Sequence, residues 1–203
     1  MTKEDVKTLL SIKGEVRGKL SHHAEAIVSF SGEKGLKEVE GLLEKLGYPM
    51  ERENLQRVRY YKIGEMILYL MAIKEALNWD EKKFKKMGRT VGKKLVIIKY
   101  LSPLFRLNNK FFFERLPQFS NRFFKGLKMT PLEADLSGKQ GKFEISGLIM
   151  DENKPIIKEV KKIAISYFSG LFESWAQAIL GVEKVNCEII SKGEGKYIFK
   201  ITW

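Results

Sequence analysis

The residues that could do acid–base, nucleophilic or metal chemistry are few in this chain of 203 residues. Its only histidines are His22 and His23, and its only cysteine is Cys187. Adjacent side chains on a helix point about 100° apart, so these imidazoles cannot easily share a metal ion, and the H-E-x-x-H spacing is absent. Cys187 alternates with Val185 and Ile189 as on the buried side of a strand, which predicts a small core residue. A metal centre is therefore not expected.

The stretch "GRTVGKK" (88–94) contains glycines and lysines but does not match a phosphate-binding loop. Only three residues separate its glycines, and no serine or threonine follows its lysines. No Ser/His/Asp or Cys/His arrangement has a useful local spacing, and the scattered carboxylates are typical of solvated surface groups. We therefore expect a protein that binds or interacts and is not an enzyme.

The net charge of +12 is concentrated in one segment. Residues 80–128 hold 14 Lys and Arg against three Asp and Glu, whereas the rest of the chain holds 23 basic and 22 acidic residues. This asymmetry indicates an anionic partner, either a membrane surface or a nucleic acid, unless the lysines are only a solvated helical face. No recognised nucleic-acid-binding motif accompanies it. The candidate anion-binding residues, the first four on one face of a predicted helix, are Lys82, Lys86, Arg89, Lys93 and Arg122.

The stretch "FFFERLPQFSNRFF" (111–124) holds six of the 13 phenylalanines. They cannot all face one side, so some are expected on the surface or at a contact with a second copy of the chain. Others are expected to meet the aromatic flank of a later helix across one apolar space above a sheet. They then either fill this space as ordinary core or line a pocket for an apolar ligand. The candidate ligand-binding residues are Phe112, Phe113, Leu116, Phe119, Phe123, Phe168, Phe172 and Trp175.

Apolar residues three and four positions apart predict helices in the first half of the chain. One such stripe runs from Val16 to Phe30, a second lies in "GLKEVEGLLEKLG" (35–47), and a third lies in "KIGEMILYLMAIKEALN" (62–78). Asp80 is a candidate N-cap for a fourth helix that continues to Pro103, and Pro117 is expected to divide or kink the phenylalanine region.

The period changes to two residues after Lys128, which predicts strands. Two alternating runs flank the turn "SGKQG" (137–141), and two more flank "SKGEGK" (191–196). Between these hairpins, one long helix is expected to begin near Pro155 and to end at Gly181. The sequence therefore predicts an α+β fold with a helical N-terminal half and a four-stranded antiparallel sheet (ββαββ) on which helices pack.

Length and composition place further bounds on the protein. We expect one domain over residues 1–203, with a helical part at about 1–128 and a ββαββ part at about 129–203. A single cysteine fits a reducing compartment, and we expect a cytoplasmic protein. The longest uncharged run in the second half, "IAISYFSGLF", has ten residues, so no transmembrane segment is predicted.

The order of elements resembles a known ligand-binding superfamily. The pieces that carry the likeness are "FKKMGRTVGKKL" with Gly88, the aromatic helix "IAISYFSGLFESWAQAILG" and the closing hairpin "NCEIISKGEGKYIFKI". Together they resemble, over about 16–203, the superfamily of the haem nitric-oxide-binding domains. That superfamily also contains the 4-vinyl reductase domains and the transport-particle subunits that tether vesicles.

The resemblance implies cofactor sites whose ligands this chain lacks. The helix that would supply a proximal haem histidine corresponds to "FFFERLPQF", and "SGLIMDENKPI" stands where the haem-binding branch has Tyr-x-Ser-x-Arg. The cysteines that flank the last turn in the zinc-containing branch are replaced by Ile189 and Tyr197. We therefore expect neither haem nor structural zinc, and no other cofactor.

Three roles remain open from the sequence. The first is a cofactor-free sensory or carrier module that binds a small apolar molecule between the aromatic helix and the sheet. The second is a self-associating, dimeric interaction module of the transport-particle type. The third is a protein that binds an anionic surface through residues 80–128.

Overall fold

The computed structural model describes residues 1–17, 19–55, 60–94, 124–147, 153–193 and 196–203. The helices in these ranges are α1 (Lys3–Leu10), α2 (Lys19–Lys45), α3 (Ile63–Leu77), α4 (Glu81–Lys94) and α5 (Pro155–Leu180), with a 3-10 turn at Arg52–Asn54. The strands are β1 (Glu15–Arg17), β2 (Tyr60–Lys62), β3 (Phe124–Lys125), β4 (Lys128–Asp135), β5 (Gln140–Ser146), β6 (Asn186–Gly193) and β7 (Lys196–Thr202). No helix of the described ranges is long and apolar enough to span a membrane.

The ββαββ half has the predicted arrangement. Its sheet has the strand order β4-β5-β7-β6, and every neighbouring pair is antiparallel. Alternate residues of the strands, such as Phe143, Phe199 and Ile201, are buried, and α5 provides a long buried apolar stripe. The α+β class and the four-stranded antiparallel sheet are therefore confirmed.

The helical half follows the predicted periodicity with one correction. The two helices expected between Val16 and Gly47 are both present within α2, where they meet at a kink at Gly32, whose backbone has φ 68°. Val16 itself was wrongly assigned to a helical stripe, because it lies in β1 and pairs with Tyr61 and Phe124. The α3 helix ends as expected at Asn78, in the left-handed conformation, and the Asp80 carboxylate accepts a hydrogen bond from the Lys83 amide at 2.9 Å.

A small second sheet and the first helix were not predicted. The small sheet has the order β2-β1-β3, and it ties the start of α3 to the start of the β-rich half. Helix α1 begins with a capping box in which Thr2 and Asp5 bond to each other's backbone amides at 3.2 and 2.7 Å. The expected helix beyond Lys94 and the kink at Pro117 lie outside the described residues.

Helices α4 and α5 cross with their backbones in contact. A Cβ atom at Gly88 would lie 2.0 Å from the carbonyl oxygen of Tyr167, and one at Gly170 would lie 1.9 Å from that of Lys85. Real Cβ atoms do not approach so closely, so only glycine permits this spacing. The crossing fixes the side chains of α4 and α5 relative to each other, and these two helices carry most of the candidate site residues that the structure describes.

Candidate functional site

An apolar cavity of about 30 Å³ lies between α5 and the inner face of the four-stranded sheet. Its walls come from three regions of the chain. Lys161, Ala164, Ile165, Phe168 and Phe172 belong to α5, Met129, Ile145, Tyr197 and Phe199 belong to the sheet, and Phe124 and Leu127 close one side. Lys161 is the one charged residue among these described lining residues, so the interior of the cavity is apolar.

The local structure explains why these side chains meet. On α5, positions 161, 165, 168 and 172 repeat every three or four residues and therefore share one face. On the sheet, Ile145 lies between Met129 of β4 and Tyr197 of β7, so the three side chains form a row across the inner surface. The ring of Phe172 completes the wall and packs edge-on against Phe199, with centroids 5.1 Å apart.

The predicted ligand-binding residues fall into three groups. Phe168 and Phe172 line the cavity, whereas Trp175 is buried one turn further on and contacts Phe172 at 5.6 Å without reaching the cavity. The remaining five, Phe112, Phe113, Leu116, Phe119 and Phe123, lie outside the described residues. That they meet the α5 aromatics stays a prediction.

Several lining residues were missed by the sequence interpretation. Phe124 was left out of the candidate set, yet its ring packs against Phe168 at 5.8 Å. Met129, Ile145 and Tyr197 were also left out, although the two-residue alternation of the strands was the signal that could have indicated them. They come from three different strands, and only the strand order brings them together.

Both histidines are engaged within the helical layer. His23 is fully buried, and its Nε2 shares a hydrogen bond of 2.7 Å with the hydroxyl of Tyr167. Burial raises the pKa of Tyr167, so this hydroxyl stays protonated well above neutral pH. The Nδ1 of His22 lies 3.6 Å from a carboxylate oxygen of Glu25. In the described part of the chain, no group of three or more His, Cys, Asp or Glu side chains is placed to hold a metal ion.

A buried carboxylate joins α4, α5 and β6. Glu173 of α5 is fully buried, and its oxygens lie 2.7 Å from Nζ of Lys85 and 2.6 Å from Nε of Arg89. The amide of Cys187 donates a third bond to it at 2.8 Å. Two cations and one amide thus compensate the desolvation of this charge. Nothing in the sequence interpretation had indicated this cluster.

Cys187 is a core residue, as predicted. Its side chain is buried, and burial raises the pKa of the thiol, with a smaller contribution from the nearby negative charge of Glu173. A thiol kept neutral in this way is a poor nucleophile.

The candidate anion-binding residues lie mostly where they were expected. Lys82, Lys86, Arg89 and Lys93 are exposed along α4, and Arg122 lies outside the described residues. Lys86 extends over the ring of Phe30, 5.0 Å from its centroid. Their role in binding an anion stays a prediction.

Comparison with known proteins identifies the fold. No protein-family model matches the sequence, and no curated protein matches it significantly. Solved structures do match.

An H-NOX protein from S. oneidensis in the Fe(II) ligation state aligns with a TM-score of 0.60 and 14% identity, over 92% of this chain and 95% of that one. An oxygen-binding H-NOX domain related to soluble guanylate cyclases aligns with a TM-score of 0.55 and 11% identity, over 90% and 92%. A Cs H-NOX mutant aligns over 100% of this chain and 96% of that one, with a TM-score of 0.55 and 13% identity. This chain therefore shares the fold of the H-NOX domains.

Proposed function

We propose that this protein is a non-catalytic binding module that uses the H-NOX fold without haem and takes a small apolar molecule into the cavity between α5 and the sheet. The observation that carries the proposal is the cavity itself, which is walled by Phe168, Phe172 and Phe199 and by aliphatic side chains. A small space lined by aromatic and aliphatic side chains favours an apolar occupant.

The described residues do not fit a haem. Neither histidine lines the cavity, and His23 already uses its Nε2 in the buried bond to Tyr167. The one thiol, Cys187, packs beside Lys85 and Glu173 and does not line the cavity either. A cavity of about 30 Å³ is also far below the roughly 300–1,000 Å³ of typical cofactor sites.

The volume limits the size of the ligand. About 10–15 Å³ suffices for one water-sized particle, whereas an apolar cavity of about 150 Å³ binds benzene or xenon. The cavity of about 30 Å³ therefore suits a diatomic molecule or the end of an apolar chain. A larger molecule enters only if a ring such as that of Phe168 turns aside.

The test is dioxygen binding followed by methyl NMR. Under oxygen pressure, the methyl resonances of Met129 and Ile145 should shift and saturate, whereas that of Ile73, which is buried in α3, should not. The substitution Ala164→Val fills the cavity from α5 and should abolish the shifts. Ala178→Val, on the same helix outside the cavity, is the matched control. Equal shifts at all three methyls, or shifts that survive Ala164→Val, would contradict the proposal.

Native mass spectrometry of the purified protein, before and after denaturation, adds the identity of any co-purified molecule. It also tests the alternative of a dimeric interaction module.

The large apolar residues most exposed in the described ranges are Leu132, Leu136 and Ile190, at 50%, 41% and 47%. The first two lie in or just after β4 and the third in β6, at opposite edges of the sheet and roughly 14 Å apart, so they form no common apolar face. These three residues therefore give no support to self-association, and most of the phenylalanine segment expected at such a contact lies outside the described residues. A reducing cellular compartment for the thiol of Cys187 is a separate proposal.

A further inference from the structure

The apolar cavity exists because one position of α5 carries a small side chain. Positions 164, 168 and 172 are spaced four residues apart and form one row along the face of α5 that meets the sheet. The row has aromatic rings at Phe168 and Phe172 but only a methyl group at Ala164. Every other described residue that lines the cavity has a side chain of the size of leucine or larger. The depth of the cavity therefore depends on Ala164.

The rings that follow Ala164 act as spacers between α5 and the sheet. Phe172 packs edge-on against Phe143 of β5 and Phe199 of β7, with centroids 4.9 and 5.1 Å apart. Phe168 stacks beside Phe172, with their centroids 6.1 Å apart. Because these rings fill the space between the helix and the sheet, α5 cannot move inwards to close the gap at Ala164 without displacing them.

The opposite side of α5 is also held in place. At the crossing with α4, the backbone of Gly170 lies against the carbonyl group of Lys85. About one turn earlier, the hydroxyl of Tyr167 shares its buried hydrogen bond of 2.7 Å with Nε2 of His23. A shift of α5 towards the sheet would break both contacts. The helix therefore cannot collapse into the cavity, and the contacts that the lining residues lack lower the stability of the fold.

A core built only for stability would carry a larger residue at position 164. The side chains around a cavity have no contact partner on one side, which costs van der Waals energy. A valine at this position would place two further methyl groups in the space. Alanine is thus unfavourable for packing and favourable for binding, and such a trade-off between stability and activity is common at functional sites.

We propose that Ala164 is the specificity-determining residue of the cavity, because its methyl group sets the size of the largest compact apolar molecule that the cavity accepts. The inference rests on the binding function proposed above and assigns a role to one residue of that site. One methylene group more or less in an apolar pocket changes the discrimination between ligands about tenfold or more. Phe168 and Phe172 are less suited to this role, since loss of their rings would remove the spacers between α5 and the sheet.

The test compares two apolar probes of different size, dioxygen and xenon, by methyl NMR of the whole chain. In the wild type, dioxygen should shift the resonances of Met129 and Ile145 saturably. Xenon should shift them only weakly, because the cavity of about 30 Å³ is well below the roughly 150 Å³ of an apolar cavity that takes up xenon. Ala164→Gly deepens the cavity and should raise the affinity for xenon relative to dioxygen about tenfold or more. Ala164→Val should abolish the shifts from both probes.

Ala178 provides the matched controls, because it is half-buried on the same helix and does not line the cavity. Ala178→Gly carries the same loss of helix propensity as Ala164→Gly but should leave the xenon-to-dioxygen affinity ratio at the wild-type value. Ala178→Val carries the same helix penalty as Ala164→Val without filling the cavity. Ala164→Val should therefore have the higher unfolding temperature of the two, and this readout does not depend on any ligand.

The outcomes separate this role from the proposed function. If dioxygen shifts neither Met129 nor Ile145 in the wild type, the binding function fails and the specificity role fails with it. If the wild type binds dioxygen but Ala164→Gly leaves the xenon-to-dioxygen affinity ratio unchanged, the specificity role is overturned and the binding function stands. A lower unfolding temperature for Ala164→Val than for Ala178→Val would also overturn the role, since position 164 would then already be tightly packed.

Discussion

The crossing of α4 and α5 makes a strong prediction for Gly88→Ala. The new Cβ would lie 2.0 Å from the Tyr167 carbonyl oxygen, whereas an ordinary contact needs at least 3.4 Å. The obstacle is backbone, so no side chain can rotate away to make room. The helices must therefore separate by about 1.4 Å, or α4 must shift along α5.

The cost has two parts and one offset. Overpacking of this kind costs about 1–3 kcal/mol. Separation of the helices also lengthens the bonds from Lys85 and Arg89 to Glu173, which span the same interface, and loss of one charged hydrogen bond costs about 1.5–3 kcal/mol. Alanine regains about 1 kcal/mol through its higher helix propensity. We therefore expect Gly88→Ala to lower the free energy of unfolding by about 1.5–5 kcal/mol.

Urea denaturation followed by circular dichroism and tryptophan fluorescence measures this quantity. Gly41→Ala is the matched control, because Gly41 lies in α2 and a Cβ there would meet no atom within 4 Å. The control should raise the free energy of unfolding by about 0.5–1 kcal/mol. If Gly88→Ala behaves like Gly41→Ala, the two helix backbones are not in contact and the reasoning is refuted.

Three further predictions concern the buried residues of α5 and β6. Phe172→Ala should lower the free energy of unfolding by about 3–5 kcal/mol, since the ring is 1% exposed. It should also enlarge the cavity so that benzene binds, which calorimetry can detect. A cost below about 2 kcal/mol would mean that the ring is loosely packed. Glu173→Gln should cost about 1.5–3 kcal/mol in urea denaturation because the partly exposed Lys85 and Arg89 lose their charged hydrogen bonds to it, and an unchanged midpoint would contradict the role given to this carboxylate. Burial raises the pKa of the Cys187 thiol in the folded state above its ordinary value of 9.0. Below pH 9.0 the thiol is protonated in both states, whereas above pH 9.0 only the unfolded state releases the proton, so the free energy of unfolding falls as the pH rises. Unfolding free energies between pH 8 and 10 should therefore fall more steeply in the wild type than in Cys187→Ala, and equal slopes would refute this prediction.

The sequence predicted those parts of the fold that depend on local periodicity. Helices α3, α4 and α5 and both hairpins have apolar spacings that extend over several turns or strand residues, so neighbours in sequence suffice to reveal them. The small sheet could not be predicted in this way. Its strands have two or three residues each, and Glu15 pairs with Lys62 and Lys125, far away in sequence. Val16 fits a helical stripe by spacing alone, and tertiary pairing overrides that pattern.

The candidate site was less predictable because it joins distant elements. Phe168 and Phe172 could be chosen from the helical pattern, whereas the opposite wall depends on the order of the strands. Glu173 carried a usable signal, since it is the only charged residue in the run "IAISYFSGLFESWAQAIL" (163–180). A lone carboxylate on an otherwise apolar helix must either be exposed or find cations. Its partners on α4, Arg89 and Lys85, lie 84 and 88 positions earlier in the chain. Residue spacing in the sequence cannot indicate contacts over such distances.

The structure also changes the meaning of the basic charge on α4. This helix has seven lysines and arginines and one glutamate. Most of the cations have contacts within the protein: Lys85 and Arg89 with Glu173, Lys94 with Glu25 at 2.8 Å, Lys86 with Phe30, and Lys83 with Trp79.

These contacts separate the structural cations from those left for a partner. Lys82 and Lys93, near opposite ends of α4, have no such contact in the described part of the chain. A uniformly basic face would attract any anionic surface, and salt would weaken that attraction to a similar degree at every position. With most of the charge engaged internally, the attraction left for an anionic partner is greatest around Lys82 and Lys93. Lys82→Gln and Lys93→Gln should therefore each weaken the binding of an anionic partner more than Lys83→Gln, because the Lys83 ammonium already lies over the ring of Trp79.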